Sequence, residues 1–92
     1  GATAVIDAEN QLLGIVTDGD LRRMLASGVT DYGALLARDL LSPAPKHIAP
    51  DALAVDALVL LREHSITQLV VLENGQYLGM VHLHDLVREG LI

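Results

Sequence analysis

Cysteine, aromatic residues and basic residues are scarce in this 92-residue chain. It has no Cys, Trp or Phe, and its aromatic residues are Tyr32 and Tyr77 alone. Without cysteine there is neither a disulfide framework nor a thiolate nucleophile. The near-absence of aromatics removes the stacking surfaces on which single-stranded nucleic acids bind. The core must therefore be built from Leu, Val, Ile and Ala.

The charge balance and the hydropathy pattern exclude further classes of protein. Six basic against twelve acidic residues give a net charge of −6 and a pI near 4.9. Such a surface repels nucleic-acid backbones and anionic lipids, so we expect neither nucleic acid nor a membrane as a partner. No apolar run approaches the length of about 18 residues that a membrane-spanning helix needs, and no signal-peptide pattern opens the chain. We expect a soluble, cytoplasmic domain.

An internal repeat is the main feature that is present. Residues 4–25 and 69–90 align without a gap at an offset of 65 positions. The identical pairs are Val5/Val70, Gln11/Gln76, Leu13/Leu78, Gly14/Gly79, Val16/Val81, Asp20/Asp85, Leu21/Leu86 and Arg23/Arg88. A period of this length indicates one module built from two similar halves. We expect the functional site in the crevice where the halves meet.

The first half reads as a hairpin followed by a helix. Short β-branched runs at 3–6 and 12–16 predict strands, and residues 7–10 supply the turn. Helical spacing begins at Asp18 and ends at Ser27-Gly28, and a connector with short helical turns at 32–36 and 38–41 follows. By the repeat alignment, about 25 residues holding a strand and a helix would precede Gly1. We interpret the chain as a piece of a longer protein.

The second half reads as strand, helix, hairpin and helix. Residues 46–48 are extended, and Asp51 is the predicted cap of a helix over 52–64. The core stripe of that helix is predicted to comprise Ala54, Ala57, Leu58 and Leu61. Asn74-Gly75 is a strong type I′ turn signal between strands at 67–72 and 77–82. A last helix runs over 84–88 and ends at Gly90.

Each half has a polar residue and, three positions later, an aspartate where a strand enters a helix. These pairs are Thr17 with Asp20 and His82 with Asp85. One interpretation of this spacing is a helix capping box. The other is a ligand site, because a carboxylate beside a crevice can accept both hydroxyls of a ribose and nearby N–H groups can hold a phosphate. Arg22, Arg23 and Arg88 are then the phosphate-side candidates, unless they are solvated surface residues.

These motifs resemble those of cystathionine β-synthase (CBS) domains arranged as a tandem pair. The resemblance rests on Gly14-Ile15-Val16-Thr17 with Asp20-Leu21, on Gly79-x-Val81 with Asp85-Leu86, and on the preceding hairpins. It implies an α+β fold of β-α-β-β-α repeats, with a first repeat truncated at its N-terminus over residues 1–40, connector included, and a complete second repeat over 41–92. It also implies a ligand site formed by Thr17, Asp20, Ile48, Ile66, Thr67, Leu69, His82, His84 and Asp85. His82 stands where the family's nucleotide-binding pattern has Thr or Ser, which argues against an adenine nucleotide at that half.

A narrower resemblance concerns residues 17–23 together with 82–86 and Gly90. They are similar to the carboxy-terminal CBS pair of arabinose-5-phosphate isomerases, whose sugar isomerase (SIS) domain interconverts ribulose 5-phosphate and arabinose 5-phosphate for Kdo and lipopolysaccharide synthesis. The resemblance implies a regulatory module without catalytic residues or cofactor of its own. Its partners would be an N-terminal SIS domain and further copies of the chain in a homodimer or higher oligomer. A nucleotide or sugar-nucleotide effector would bind between the repeats, and regulation by an end product of the pathway suggests CMP-Kdo as that effector.

Two alternatives to nucleotide sensing remain open from the residues. His82, His84 and Asp85 could form a metal-responsive site, because two histidines two apart on one strand share a face. Alternatively, the pair could hold oligomers together without any ligand. Catalysis within the chain has no support, since it lacks a phosphate-binding glycine loop and a recognisable nucleophile arrangement.

Overall fold

The computed structural model describes residues 1–90 and divides the chain into two compact units. The division lies between Pro45 and Lys46. Leu91 and Ile92, the last residues of the predicted second repeat, lie outside the described residues. Within 1–90, no helix combines the length and the apolar character that crossing a membrane would require.

The first unit begins with an antiparallel hairpin. Strand β1 (Ala2–Ile6) pairs with β2 (Leu12–Thr17). The Asp7 carboxylate closes the turn by accepting the backbone N–H groups of Glu9 and Gln11, each at 2.9 Å. Helix α1 (Asp18–Ala26) follows β2 directly. The predicted hairpin and helix are confirmed.

The connector folds back onto β2. It contains a 3-10 turn over Tyr32–Ala34 and the short helix α2 (Ala37–Leu40), as the sequence predicted. Ser42 then forms an antiparallel bridge with Ile15, with N···O distances of 2.8 and 3.0 Å. The approach is close because position 14 is glycine: a Cβ there would lie 2.5 Å from the carbonyl oxygen of Ser42.

The second unit is a three-stranded sheet with two helices. Strand β3 (His47–Ile48) runs parallel to β4 (Gln68–Glu73), and β4 pairs antiparallel with β5 (Gln76–His82). Helix α3 (Ala54–Glu63) joins β3 to β4, and helix α4 (Leu83–Arg88) follows β5. The predicted order of elements is confirmed.

The turn and the core of the second unit follow from its sequence. Asn74 and Gly75 take φ angles of 52° and 79°, as a type I′ turn requires. Residues from α3, β4 and α4 form the buried core, namely Ala57, Leu58, Leu61, Leu69 and Leu86. Aliphatic side chains alone build this core, as the composition demands.

Two predictions about α3 are wrong. The helix starts at Ala54 with Leu53 as its N-cap residue, and no side chain caps it. Asp51 does not cap the helix because the N–H of Ala52 bonds to the carbonyl of Ala49 at 3.2 Å, which holds residues 49–52 in a separate turn. Ala54 is exposed and not part of the core stripe, since the buried positions begin one turn later at Ala57.

Candidate functional site

The start of α1 is a complete capping box. The N–H of Asp20 donates to the Thr17 hydroxyl at 3.3 Å, and the N–H of Thr17 donates to Oδ2 of Asp20 at 2.7 Å. Both groups thereby satisfy N–H groups that a helix start leaves free. The capping interpretation of this pair is confirmed.

The Asp20 carboxylate has further donors around it. The Thr17 hydroxyl donates to Oδ2 at 3.0 Å, the Ser42 hydroxyl donates to Oδ1 at 2.7 Å, and the Arg23 guanidinium also donates to Oδ1. Asp20 is buried, with 5% of its surface exposed. The Ser42 hydroxyl and the Thr17 N–H are the main causes that lower the pKa of Asp20 from 3.8 to about 2, against the opposing effect of burial.

A cavity lies beside this network within the first unit. Its volume is about 360 Å³. Its walls come from α1 and from the connector, with Asp20, Arg23, Ser27, Asp39 and Ser42 as the polar residues. Asp20 thus lines this cavity together with Ser42 and Arg23, two of the residues that donate to its carboxylate.

The start of α4 reproduces only half of the capping arrangement. The N–H of His82 donates to Oδ2 of Asp85 at 3.2 Å, but the His82 side chain makes no capping hydrogen bond. Arg88 donates to Oδ1 of Asp85 at 2.7 Å. The side chain of Asp85 is 43% exposed and that of Arg88 is 65% exposed. This carboxylate is consequently accessible to an external donor.

The remaining predicted site residues of the second unit fall into different environments. Ile48 lines an apolar cavity of about 170 Å³ bounded by α3 and the sheet. Ile66 lines another, of about 380 Å³, between α3 and α4. Thr67 is exposed, and its hydroxyl donates to the Gln68 side chain at 2.8 Å. Leu69 is 0% exposed and belongs to the core, so its side chain is not accessible to a ligand.

The metal alternative finds no support in the arrangement of side chains. Within residues 1–90, no three His, Cys, Asp or Glu side chains are placed so that they could hold a metal ion. Strand β5 ends at His82, and His84 lies in the first turn of α4. The two histidines therefore do not share a strand face, which was the premise of the metal hypothesis.

The structure brings together Thr17 and Asp20 in the first unit and His82 and Asp85 in the second. That these two pairs form one crevice stays a prediction. Ser42 is the contact that the sequence analysis missed. It is 22 positions from Asp20, so no local pattern indicates it. The one available signal was Gly14, a glycine within a strand, which often marks a close backbone approach.

Comparison with known families decides the class of this domain. The family model for the CBS domain matches residues 1–27 and 37–91. The chain belongs to the CBS domain family. The second match begins at residue 37, which lies inside the first unit, so the two matches and the two units have different bounds. The order of elements agrees with the fold that the resemblance implied.

Known relatives and solved structures are similar to this CBS pair over nearly all its length. Arabinose 5-phosphate isomerase KdsD of Yersinia pestis is 40% identical over 92 residues, which is 100% of this chain but 28% of that protein. The crystal structure of CBSX2 in complex with AMP has a TM-score of 0.77 and 26% identity, covering 98% of this chain and 70% of the other. The CBS domain pair of protein MJ0100 has a TM-score of 0.79 at 17% identity, covering 97% of this chain and 71% of the other, and supports the fold alone.

Proposed function

We propose that this CBS pair is a regulatory module, without catalysis of its own, that binds a nucleotide or sugar-nucleotide effector at its second repeat. The observation that carries the proposal is the accessible Asp85 carboxylate where β5 enters α4, with its side chain 43% exposed. The AMP complex of CBSX2, a protein similar over 98% of this chain, supports nucleotides as the ligand class. Because His82 replaces the Thr or Ser of the family's nucleotide-binding pattern, the nucleotide at this repeat need not carry adenine.

Asp85 has hydrogen-bonding capacity left for a ribose. An ionised carboxylate offers about four lone-pair positions. Among the described residues, His82 N–H and Arg88 are the donors that contact it. The remaining positions can accept the two hydroxyls of a ribose in charge-assisted hydrogen bonds. Arg88 is exposed enough to turn towards a phosphate of the same ligand.

The base of the ligand needs an apolar wall, and the second repeat offers one close to Asp85 in sequence. Leu83 and Val87, which flank Asp85 on α4, line the apolar cavity of about 380 Å³ together with Ile66. Apolar walls with a few polar groups at the rim are typical of small-ligand sites. Thr67 and His84 are exposed beside these elements and can supply polar contacts at the rim.

His82, Ile48 and Leu69 complete the proposed set. His82 is half-buried, and its imidazole is not used for capping, so it can face a ligand. Ile48 lines the smaller apolar cavity of the repeat. Because the Leu69 side chain is enclosed in the core, its contribution would come from the backbone.

The parent protein would be an arabinose 5-phosphate isomerase with an N-terminal SIS domain. This proposal rests on the 40% identity with the Yersinia pestis isomerase, of which the chain spans 28%. In that setting the effector would report on Kdo and lipopolysaccharide synthesis, and CMP-Kdo is the candidate that feedback logic favours. A cytoplasmic location and the absence of catalysis in this chain belong to the same proposal.

A second candidate function, oligomerisation without a ligand, is favoured by exposed apolar residues on two helices. Leu21 and Leu25 on α1 are 41% and 61% exposed, and Val87 on α4 is 50% exposed. Apolar side chains grouped on a helix are typical of protein interfaces. We expect at least a dimer, and light scattering at micromolar concentration tests this. A species of 9.8 kDa would contradict it.

A thermal-shift screen with AMP, CMP and CMP-Kdo tests ligand binding, because a ligand that binds the folded state raises the unfolding temperature. The decisive variant is Asp85→Asn, which keeps the shape but loses the charge. We expect it to weaken binding about 10- to 100-fold, as the loss of charge-assisted hydrogen bonds implies. Asp56→Asn, at an exposed aspartate in the first turn of α3, is the matched control. No shift with any of the three compounds, or equal loss in both variants, would refute the proposal.

A further inference from the structure

The aspartate of the first repeat has its carboxylate enclosed by donors from its own unit. Oδ2 accepts the N–H and the hydroxyl of Thr17, and Oδ1 accepts Ser42 and Arg23. Four donors match the approximate lone-pair capacity of a carboxylate. With Asp20 only 5% exposed, a ribose hydroxyl would have to displace one of these groups before it could bind.

Ser42 is held in this position by the backbone as well as by its hydroxyl. Its N–H and C=O both bond to Ile15, at 2.8 and 3.0 Å. The segment also lies so close to Gly14 that a Cβ there would be 2.5 Å from the Ser42 carbonyl oxygen and 2.8 Å from the Leu41 side chain. The backbone therefore keeps Ser42 beside Asp20, and its hydroxyl leaves the carboxylate when the side chain turns to another rotamer.

The second repeat provides an internal comparison for the same motif. Asp85 is the repeat counterpart of Asp20, and Gly79 that of Gly14. A Cβ at Gly79 would meet no atom within 4 Å, so no segment of the described chain covers this point. Asp85 correspondingly has no hydroxyl donor like Ser42 among residues 1–90 and is more exposed than Asp20.

We propose that Ser42, with Arg23, closes the Asp20 carboxylate to the hydroxyls of ribose-containing ligands, so that these 92 residues bind one nucleotide, through Asp85. Ser42 is in this sense a specificity-determining residue that acts by blocking a site. The number of nucleotides bound per chain rests on the proposed function. The hydrogen bonds from Ser42 and Arg23 to Asp20 do not, because they are present in the ligand-free chain. Ser42 and Arg23 also line the cavity beside Asp20, so a ligand in that cavity would meet both of them.

Calorimetric titration with AMP as the probe tests the count. We expect one AMP per chain, a dissociation constant within about twofold of the unmodified value for Asp20→Asn, and weakening of at least about tenfold for Asp85→Asn. Two AMP per chain, with one of them lost in Asp20→Asn, would overturn the inference and leave the proposed function standing. If Asp20→Asn does not fold, the test uses the unmodified chain instead and follows the carbon NMR signal of the Asp20 carboxyl. That signal should stay fixed while the Asp85 signal moves on adding AMP, and movement of the Asp20 signal would overturn the inference.

Titration of the Asp20 carboxyl by NMR, without nucleotide, tests the occupation itself. We expect Asp20 to titrate clearly below 3.8 in the unmodified chain and to rise by about half a unit or more in Ser42→Ala. Ser27→Ala is the matched control, because Ser27 lines the same cavity but donates to the carbonyl of Met24. An Asp20 that titrates at its ordinary value, or that responds equally to both variants, would overturn the inference even if AMP binds. Failure of AMP to bind at all, with the expected Asp20 titration, would instead count against the proposed function alone.

Discussion

The two repeats place the same aspartate at the same strand-to-helix junction, yet they use it differently. The side chain of Asp20 is 3% exposed and accepts four hydrogen bonds, whereas the side chain of Asp85 is 43% exposed and accepts bonds from His82 and Arg88. Part of the difference is local, because the Thr17 hydroxyl donates to Asp20 whereas His82 gives Asp85 its backbone N–H alone. The rest comes from Ser42, a residue of the connector that within residues 1–90 donates to Asp20 and not to Asp85. The surroundings of a repeated motif thus depend in part on a segment distant in sequence.

The largest expected difference between the repeats concerns their paired glycines. Gly14→Ala places a methyl group 2.5 Å from the Ser42 carbonyl oxygen, so the connector must move away. We expect a loss of about 1–3 kcal/mol in the free energy of unfolding, the usual range for overpacking. Gly79→Ala, where nothing lies within 4 Å, should change it by about 0.5 kcal/mol or less. Urea denaturation measures both, and equal effects would mean that the approach of Ser42 to β2 is not tight.

The two cap residues should differ by a smaller amount. Thr17→Ala removes a hydroxyl that caps α1, and loss of such a cap costs about 1 kcal/mol. His82→Ala removes a side chain that makes no capping bond, so the start of α4 should lose little from it. Thermal unfolding followed by circular dichroism compares the pair. A larger loss in His82→Ala than in Thr17→Ala would reverse the assignment of the complete cap to the first repeat.

The paired arginines provide a weaker contrast. Arg23 donates to a buried carboxylate, and Arg88 donates to an exposed one. An exposed ion pair contributes about 0–1 kcal/mol, so Arg88→Ala should have an effect near the lower end of that range. Arg23→Ala should have the larger effect, because it leaves Asp20 with one donor fewer in a buried position. Chemical denaturation at low and high salt separates the two, and greater destabilisation by Arg88→Ala would contradict this expectation.

The last contrast is a dependence on acid pH that belongs to the first repeat. The folded-state pKa of Asp20 is lowered to about 2 from 3.8, so its stabilising contribution is complete above pH 3.8 and is lost as the pH falls towards 2. Arg23 and Asp39 share the cavity beside it, and Asp39 is the other carboxylate there. Ser42→Ala should move this loss to higher pH. Thermal unfolding of the unmodified chain and of Ser42→Ala, measured between pH 2 and 5, checks this expectation. Identical dependence of the unfolding temperature on pH in the two chains would contradict it.

Local sequence signals predicted most of the fold. The Asn74-Gly75 turn, the β-branched strands and the helix stop at Gly28 depend on neighbouring residues, and the structure has each of them. The start of α3 was mispredicted because a local turn competed for the backbone near Asp51. A helix capped by Asp51 and a separate turn over residues 49–52 both satisfy local hydrogen bonds, and composition alone does not decide between these two structures.

The candidate site was predictable in its residue types but not in its state of occupation. The repeat alone identified Asp20 and Asp85 as equivalent positions. It could not reveal that Ser42 contacts one of them, because hydrogen bonds between residues far apart in sequence leave no periodic pattern. The sequence also did not show that the Leu69 side chain is fully buried and so cannot contact a ligand. An aliphatic residue in a strand fits the family pattern whether it is buried or exposed.

The pairing of Ile15 with Ser42 has a consequence for the order of folding. It joins positions 15 and 42, whereas the β1–β2 hairpin closes over a turn of a few residues. Since the entropic cost of closing a loop grows with its length, the hairpin should form first and the connector should attach afterwards. By the same reasoning the connector should detach in brief local openings while the hairpin stays intact. We expect the amide protons of Ile15 and Ser42 to exchange with solvent together, faster than those that β1 and β2 share.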